Sequence, residues 1–229
     1  MNSLAIVEIN SDWDEDRCTE ALKHLPEPVV KRALRYRTRE ARQNLIASQV
    51  ALREALIHLG EEPDRLDICP HGRPFLRDSD LQFNLSHSET RVVIALARDS
   101  RLQQSLGVDV EWIHRRVERD ALAKRFFAPS EHAFTLNSPE NFFRVWTRKE
   151  AVLKTNGIGL RVELSSFEVL ADAVAQEITG RPLTLGTQSR DQGYMVSWAV
   201  AQDWEPYQVK WIDYSDPAWS VRLREGIDG

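Results

Sequence analysis

Gly107-Val108-Asp109-Val110-Glu111 is the stretch from which the rest of the chain is read. Apolar residues alternate with acids, so on a β-strand Asp109 and Glu111 point to one face and Val108 and Val110 to the other. Two carboxylates then share one small space. Like charges so close repel unless a cation lies between them, and paired hard oxygen ligands suit Mg²⁺. The plainer alternative is a half-buried edge strand with a solvated acidic face, the ordinary environment of Asp and Glu.

A second acidic site lies in Trp146-Thr147-Arg148-Lys149-Glu150-Ala151-Val152-Leu153-Lys154. Read as a helix, it places Trp146, Glu150 and Lys154 at i, i+4 and i+8, with Lys149 adjacent. One stripe then carries an aromatic ring, a carboxylate and two ammonium groups. That is an odd stripe for a core. Its plainer reading is a solvated Glu-to-Lys pair one turn apart, contributing about 0.2–0.5 kcal/mol.

The chain has 229 residues, 42% hydrophobic and 28% charged, with a net charge of −5. That length buries a sizeable core as one large domain or two small ones. The mild acidic balance gives no general attraction to nucleic acid or to an anionic membrane, so an anion site has to be a local basic cluster. No run of about 18 apolar residues exists, and the first 25 residues carry several acids. These features lead us to expect a cytoplasmic protein. Cys18 and Cys69 are far apart without a second metal-type pair, which reads as two free thiols.

In chain order, Leu4 to Ile9 reads as a strand and Ser11-Asp12 as the cap of a helix from Trp13 to Leu25. Beyond Pro26 and Pro28, Arg32, Arg35, Arg39 and Arg42 are spaced 3, 4 and 3, as on one face of a helix that continues to Gly60. Such a run is either a solvated face or an anion site, since unpaired cations on one face repel. His71-Gly72-Arg73-Pro74 implies a tight turn. Phe83-Asn84-Leu85-Ser86-His87-Ser88 offers hydroxyl and imidazole donors together, and an apolar strand follows from Arg91 to Ala97. Phe167 to Leu170, Tyr194 to Val200 and Gln208 to Ile212 read as further strands. Asn156-Gly157-Ile158-Gly159 reads as the cap of the Lys154 helix.

Five motifs stand in order: Gly72-Arg73-Pro74, Phe83 to Ser88, Gly107 to Glu111, Lys124-Arg125-Phe126-Phe127 with Glu131, and Trp146 to Lys154. Together they resemble the 4′-phosphopantetheinyl transferases, in particular the larger, monomeric branch that activates surfactin-synthetase-type peptide synthetases. Arg73 departs from the lysine frequent at its position in that family. The resemblance implies an α+β fold of two similar halves, residues 1–106 and 107–229, packed as a pseudo-dimer around an active-site cleft.

It also implies a reaction: transfer of the phosphopantetheine arm of coenzyme A to a serine of an apo acyl or peptidyl carrier protein, releasing adenosine 3′,5′-bisphosphate. On this reading Asp109, Glu111 and Glu150 hold Mg²⁺, or Mn²⁺ in its place. Glu150 is alternatively, or additionally, the base that takes the serine proton. Lys154 and His87 meet the pyrophosphate. Arg73 with Pro74, and one or more of Arg32, Arg35 and Arg39, take the 3′-phosphate and adenine end, with Ser86 and Lys149 also on the coenzyme. Glu131 either supports the metal site or is a helix-start carboxylate. Two other classes fit parts of the pattern: a Mg²⁺-dependent phosphotransferase or nuclease acting without a carrier, and a non-catalytic module binding coenzyme A or a carrier.

Overall fold

A computed structural model describes residues 2–70, 72–102, 105–156, 162–174 and 176–227. The chain runs β1 (Asn2–Asn10), α1 (Glu15–Lys23), α2 (Glu27–Arg35), α3 (Arg39–His58), β2 (Leu66–Ile68), β3 (Pro74–Leu76), β4 (Leu81–Ser88) and β5 (Arg91–Arg98). It continues through β6 (Leu106–Trp112), α4 (Arg119–Phe126), α5 (Pro129–Thr135), α6 (Pro139–Asn156), β7 (Ala173–Val174), α7 (Gln176–Thr179), β8 (Leu183–Arg190), β9 (Tyr194–Ala201), β10 (Tyr207–Asp213) and α8 (Trp219–Ile227). This is an α+β fold. Among the described residues no helix is long and apolar enough to cross a membrane.

Two four-stranded sheets carry the architecture, ordered β10-β1-β5-β4 and β6-β9-β8-β7. Period-two alternation gives each strand two buried faces. Leu4, Ile6, Val93 and Ala95 from the first sheet meet Val108, Val110, Val196 and Trp198 from the second in a shared core. On the first sheet's other face, Val7, Val92 and Ile94 pack with Ile46, Leu52 and Leu56 of α3. On the second, Leu185, Met195 and Ala199 pack with Val152 and the α6 aromatics. A division at residue 106 captures the start of the second sheet but not the end of the first, because β10 returns to pair parallel with β1. Residues 207–227 therefore belong with the N-terminal sheet, and α8 packs against β1 and β10.

Local differences from the sequence reading have physical causes. The expected helix from Arg32 to Gly60 is two helices, because Tyr36 is extended and Thr38 caps a new start by accepting from the Ala41 N–H at 3.3 Å. The first helix is capped by Asp14, not Ser11-Asp12; its side chain accepts from the Arg17 N–H at 2.7 Å. Residues 167–170 form no strand and instead supply carbonyl groups to Lys149 and Arg148. β8 was not foreseen, its outer half being Gly-Thr-Gln-Ser. The expected Gly157–Gly159 cap lies outside the described residues.

Candidate active site

The site is built where the edge of one sheet meets the edge of the other. β6 ends its sheet, so its outward backbone groups need partners that no neighbouring strand supplies. Side chains from the first sheet's side provide them. Asn84 Oδ1 accepts from the Val108 N–H at 3.0 Å, the Ser88 hydroxyl accepts from the Trp112 N–H at 3.2 Å, and Arg73 donates to the Leu106 carbonyl at 3.3 Å. Alternation along β4 then aims Ser86 and Ser88 at the two acids of β6. Ser86 Oγ donates to Asp109 Oδ1 at 2.7 Å and Ser88 Oγ to Glu111 Oε2 at 2.7 Å. The serines thus fix the pair that the Gly-x-Asp-x-Glu spacing placed on one face.

Gly107 brings the third carboxylate close. A β-carbon there would overlap the Ala151 carbonyl oxygen, so only glycine lets α6 press against β6. Glu150 and Lys154 of α6 are carried to the β4–β6 junction as a result. Lys154 Nζ donates to Asp109 Oδ1 at 2.6 Å and to Ser86 Oγ at 2.7 Å. Burial first, then the neighbouring Asp109 charge, raises the pKa of both Glu111 and Glu150 above the usual carboxylate range. Asp109 is thus an electrostatic neighbour of both glutamates, and Glu111 of Glu150.

Among the described residues, no three His, Cys, Asp or Glu side chains converge on one point as a closed cation cage. The donor set nonetheless fits a hard cation. Asp109 Oδ2 is buried without a hydrogen-bond partner, and burial, followed by the Asp109 charge, raises the pKa of Glu111 and Glu150. A divalent ion held by these carboxylates would give that oxygen a partner and offset their mutual repulsion.

A cavity of about 710 Å³ adjoins this centre through Glu150 and Lys154. Glu150, Lys154 and His87 line it, together with Arg32, Arg73 and Pro74. Its walls and the Lys154 charge hold the His87 imidazole below its ordinary pKa. Ser86 and His87, read together from sequence, separate here: alternation turns Ser86 to Asp109 and leaves His87 and Leu85 on the cavity.

The basic residues divide likewise. Arg32 lines the cavity, whereas Arg35 ends α2 outside it. Arg39 donates to the Trp13 carbonyl at 3.4 Å, and Arg42 pairs with Glu15 at 3.0 Å. The break at Tyr36–Thr38 is why four arginines do not share one face. Arg73 spends part of its guanidinium on the Thr155 and Leu106 carbonyls, tying the β2–β3 hairpin to α6 and β6.

Lys149 does not reach the cavity. It is 1% exposed, pairs with Glu131 at 2.8 Å, and donates to the Leu164 carbonyl at 2.7 Å and to that of Phe167. Its position one residue before Glu150 rotates it about 100° around α6 into the core. Glu131, fully buried, accepts from the N–H groups of Ala128 at 2.9 Å and Val169 at 2.7 Å, so it is a helix-start carboxylate and not part of the acidic row. Sequence reasoning overlooked Ser48, Gln49 and Arg53 of α3, which line the cavity beside Leu45 and Leu52. Positions 45, 48, 49, 52 and 53 are one helical stripe, and its polar members were the available signal. Arg53 Nε is buried there without a partner.

The cavity places Arg32, Arg53, Arg73, His87 and Lys154 with Glu150 along one lining. The sequence profile of the 4′-phosphopantetheinyl transferase superfamily matches residues 105–209. The chain is 33% identical over 170 residues to the 4′-phosphopantetheinyl transferase HetI of Nostoc sp., covering 69% of this chain and 70% of that one. It is 29% identical over 163 residues to Sfp of Bacillus subtilis, covering 66% and 70%, and 34% identical over 122 residues to AcpT of Salmonella typhimurium, covering 51% and 59%. The chain belongs to the 4′-phosphopantetheinyl transferase superfamily. Within it, the likeness to HetI and Sfp places the chain with the Sfp-like type.

Proposed function

We propose that the protein transfers the 4′-phosphopantetheine arm of coenzyme A to a serine hydroxyl of an apo acyl or peptidyl carrier protein, acting as a cytoplasmic monomer. The observation that carries this reading is the continuity of the cleft: a basic cavity leads through His87, Glu150 and Lys154 to the carboxylate pair on β6. Arg32, with Arg73 and Pro74 at the hairpin, would take the nucleotide end of the coenzyme. His87 and Lys154 would meet the pyrophosphate, whose oxygens gain charge as the bond to the leaving group breaks.

Asp109, Glu111 and Glu150 would hold a divalent cation, Mg²⁺ or Mn²⁺. When bound it supplies charge neutralisation at the transferring and leaving phosphoryl oxygens. The serine oxygen forms a bond to the arm's phosphorus while the bond to adenosine 3′,5′-bisphosphate breaks. Glu150 would take the serine proton directly or through a water, a role to which its raised pKa adds basicity. Lys154, bonded to Ser86 and Asp109, would hold the row in register and balance its charge.

Incubation of candidate apo carriers with coenzyme A and Mg²⁺, followed by intact-mass measurement, tests the reading. A gain of one phosphopantetheine arm on a serine supports it. Turnover of bare nucleotides, with no carrier modified, would replace it with another phosphotransfer.

A further inference from the structure

Two polar side chains of the coenzyme cavity are without a partner. Gln49 and Arg53 lie one turn apart on α3 and line the cavity beside Leu45 and Leu52. Both are half-buried, and among the described residues neither has a hydrogen bond or an ion pair. The Arg53 Nε is buried without an acceptor. By contrast, Lys154 is engaged with Ser86 and Asp109, and Arg73 with the Thr155 and Leu106 carbonyls. Ser48 donates to the Leu45 carbonyl at 2.9 Å, and Arg32 to the Tyr36 hydroxyl at 3.3 Å. A buried donor without an acceptor raises the energy of the free protein, and a ligand that draws it into a contact lowers that energy.

The surroundings of this pair suit a neutral ring better than a phosphate. Asp64 stands close enough to act on the Arg53 charge, and Asp67 lines the same cavity. Carboxylates there repel a dianion. Pro63, Leu66 and Ile68 add apolar surface to the lining. A flat, uncharged ring with donors and acceptors on its edge fits this mixture, and coenzyme A has one such part, its adenine base. The primary amide of Gln49 presents a donor and an acceptor side by side, matching the amino group and ring nitrogen of adenine. A guanidinium has donors only and cannot match that edge, but its plane covers a ring face. Arg32, near enough to act on His87, is left to the phosphates.

We infer that Gln49 and Arg53 select the base of the donor: Gln49 reads the edge of adenine, and Arg53 lies over its face. This rests on the transferase reading and names two residues that set the donor specificity of that same site. The base is remote from the reacting phosphorus of the coenzyme, so both residues act through binding and KM and not through kcat.

The test compares wild type, Gln49→Leu and Arg53→Leu, each shown to be folded by far-ultraviolet circular dichroism. Calorimetry measures the binding of adenosine 3′,5′-bisphosphate and of inosine 3′,5′-bisphosphate, in which the amino group is replaced by oxygen. Wild type is expected to bind the adenine compound about 5–150-fold tighter, the discrimination of one bidentate pair. Gln49→Leu should remove that preference by weakening the adenine compound alone. Arg53→Leu should weaken both compounds by a similar factor, about 2–30-fold, since a face contact does not read the edge. In transfer assays both variants should raise KM for coenzyme A, and Arg53→Leu should raise KM for dephospho-coenzyme A by the same factor. Equal binding of the two bisphosphates by wild type, or an undiminished preference in Gln49→Leu, overturns the base assignment. A loss in Arg53→Leu that disappears with dephospho-coenzyme A makes Arg53 a phosphate ligand and overturns its place over the base. No arm transferred to any carrier by wild type would instead overturn the transferase reading, and the binding comparison, which needs no carrier, still decides the base.

Discussion

Replacing Lys149 by Met keeps the aliphatic volume of the side chain and removes its charge. The structure makes the consequence calculable. Lys149 and Glu131 are 1% and 0% exposed, 2.8 Å apart, and the three Lys149 donors all have acceptors. Burial acts to lower the Lys149 pKa, and the Glu131 hydrogen bond and charge oppose it. Removing one partner of a buried ion pair leaves the other uncompensated, at about 3–5 kcal/mol. Glu131 would retain only its two backbone donors. For a chain of this size each kcal/mol moves Tm by about 2–4 °C, so the expected loss is about 6–20 °C. The double variant Lys149→Met, Glu131→Gln leaves no unpaired charge and should recover much of that loss. Differential scanning calorimetry reads the stability, and KM for coenzyme A, measured well below Tm, should match wild type. A Lys149→Met protein with unchanged Tm and a raised coenzyme A KM would refute the reasoning and return Lys149 to the coenzyme site.

Three further outcomes are expected. Glu150→Gln should lower kcat by about 10²–10⁴ if the carboxylate is the base. Because Glu150 and Glu111 are raised, the folded protein holds protons there more readily than the unfolded chain; metal-free stability falls as pH rises above the ordinary glutamate range, and the substitution flattens that slope. Calorimetry with and without Mg²⁺ should also show a smaller metal-induced rise in Tm; an unchanged rise would remove Glu150 from the metal. Gly107→Ala should cost about 1–3 kcal/mol by overpacking and reduce kcat, since the methyl group meets the Ala151 carbonyl and pushes α6 from β6; wild-type Tm and kcat together would contradict the close approach. Arg32→Ala should raise KM for coenzyme A by about 10–150-fold, the worth of one charge-assisted hydrogen bond, whereas Arg35→Ala and Arg39→Ala should not. Equal effects from all three would mean that the arginines act as a diffuse field.

The strands β1, β5, β6, β9 and β10 were legible because alternation or a continuous apolar run is a local property. The acidic pair on β6 was legible for the same reason, two residues apart on one strand. Lys149 was misread because spacing on α6 says which residues are neighbours, while the rotation of the helix is set by Gly107 and by the 164–169 segment, both distant in sequence. Ser86 and His87 were joined by adjacency, which on a strand places them on opposite faces. The arginine run was joined by helical spacing, and the Thr38 cap that divides it was passed over. β10 escaped the division into halves because parallel pairing with β1 depends on a partner about 200 residues away, and Arg53 escaped because its neighbours across the cavity come from other segments.

The central claim is that the row of acids at the β4–β6 junction is the reaction centre. It is tested most directly by one rate: arm transfer to a carrier that wild type modifies, followed by intact mass, using Asp109→Ala in saturating coenzyme A and Mg²⁺. Asp109 Oδ2 is buried without a partner and Oδ1 is held by Ser86 and Lys154, so removing the carboxylate takes away both the orphaned oxygen and the anchor of the row. The account predicts a folded protein that binds coenzyme A and transfers essentially nothing, matching wild type treated with a chelator. Transfer by Asp109→Ala at the wild-type rate would contradict it.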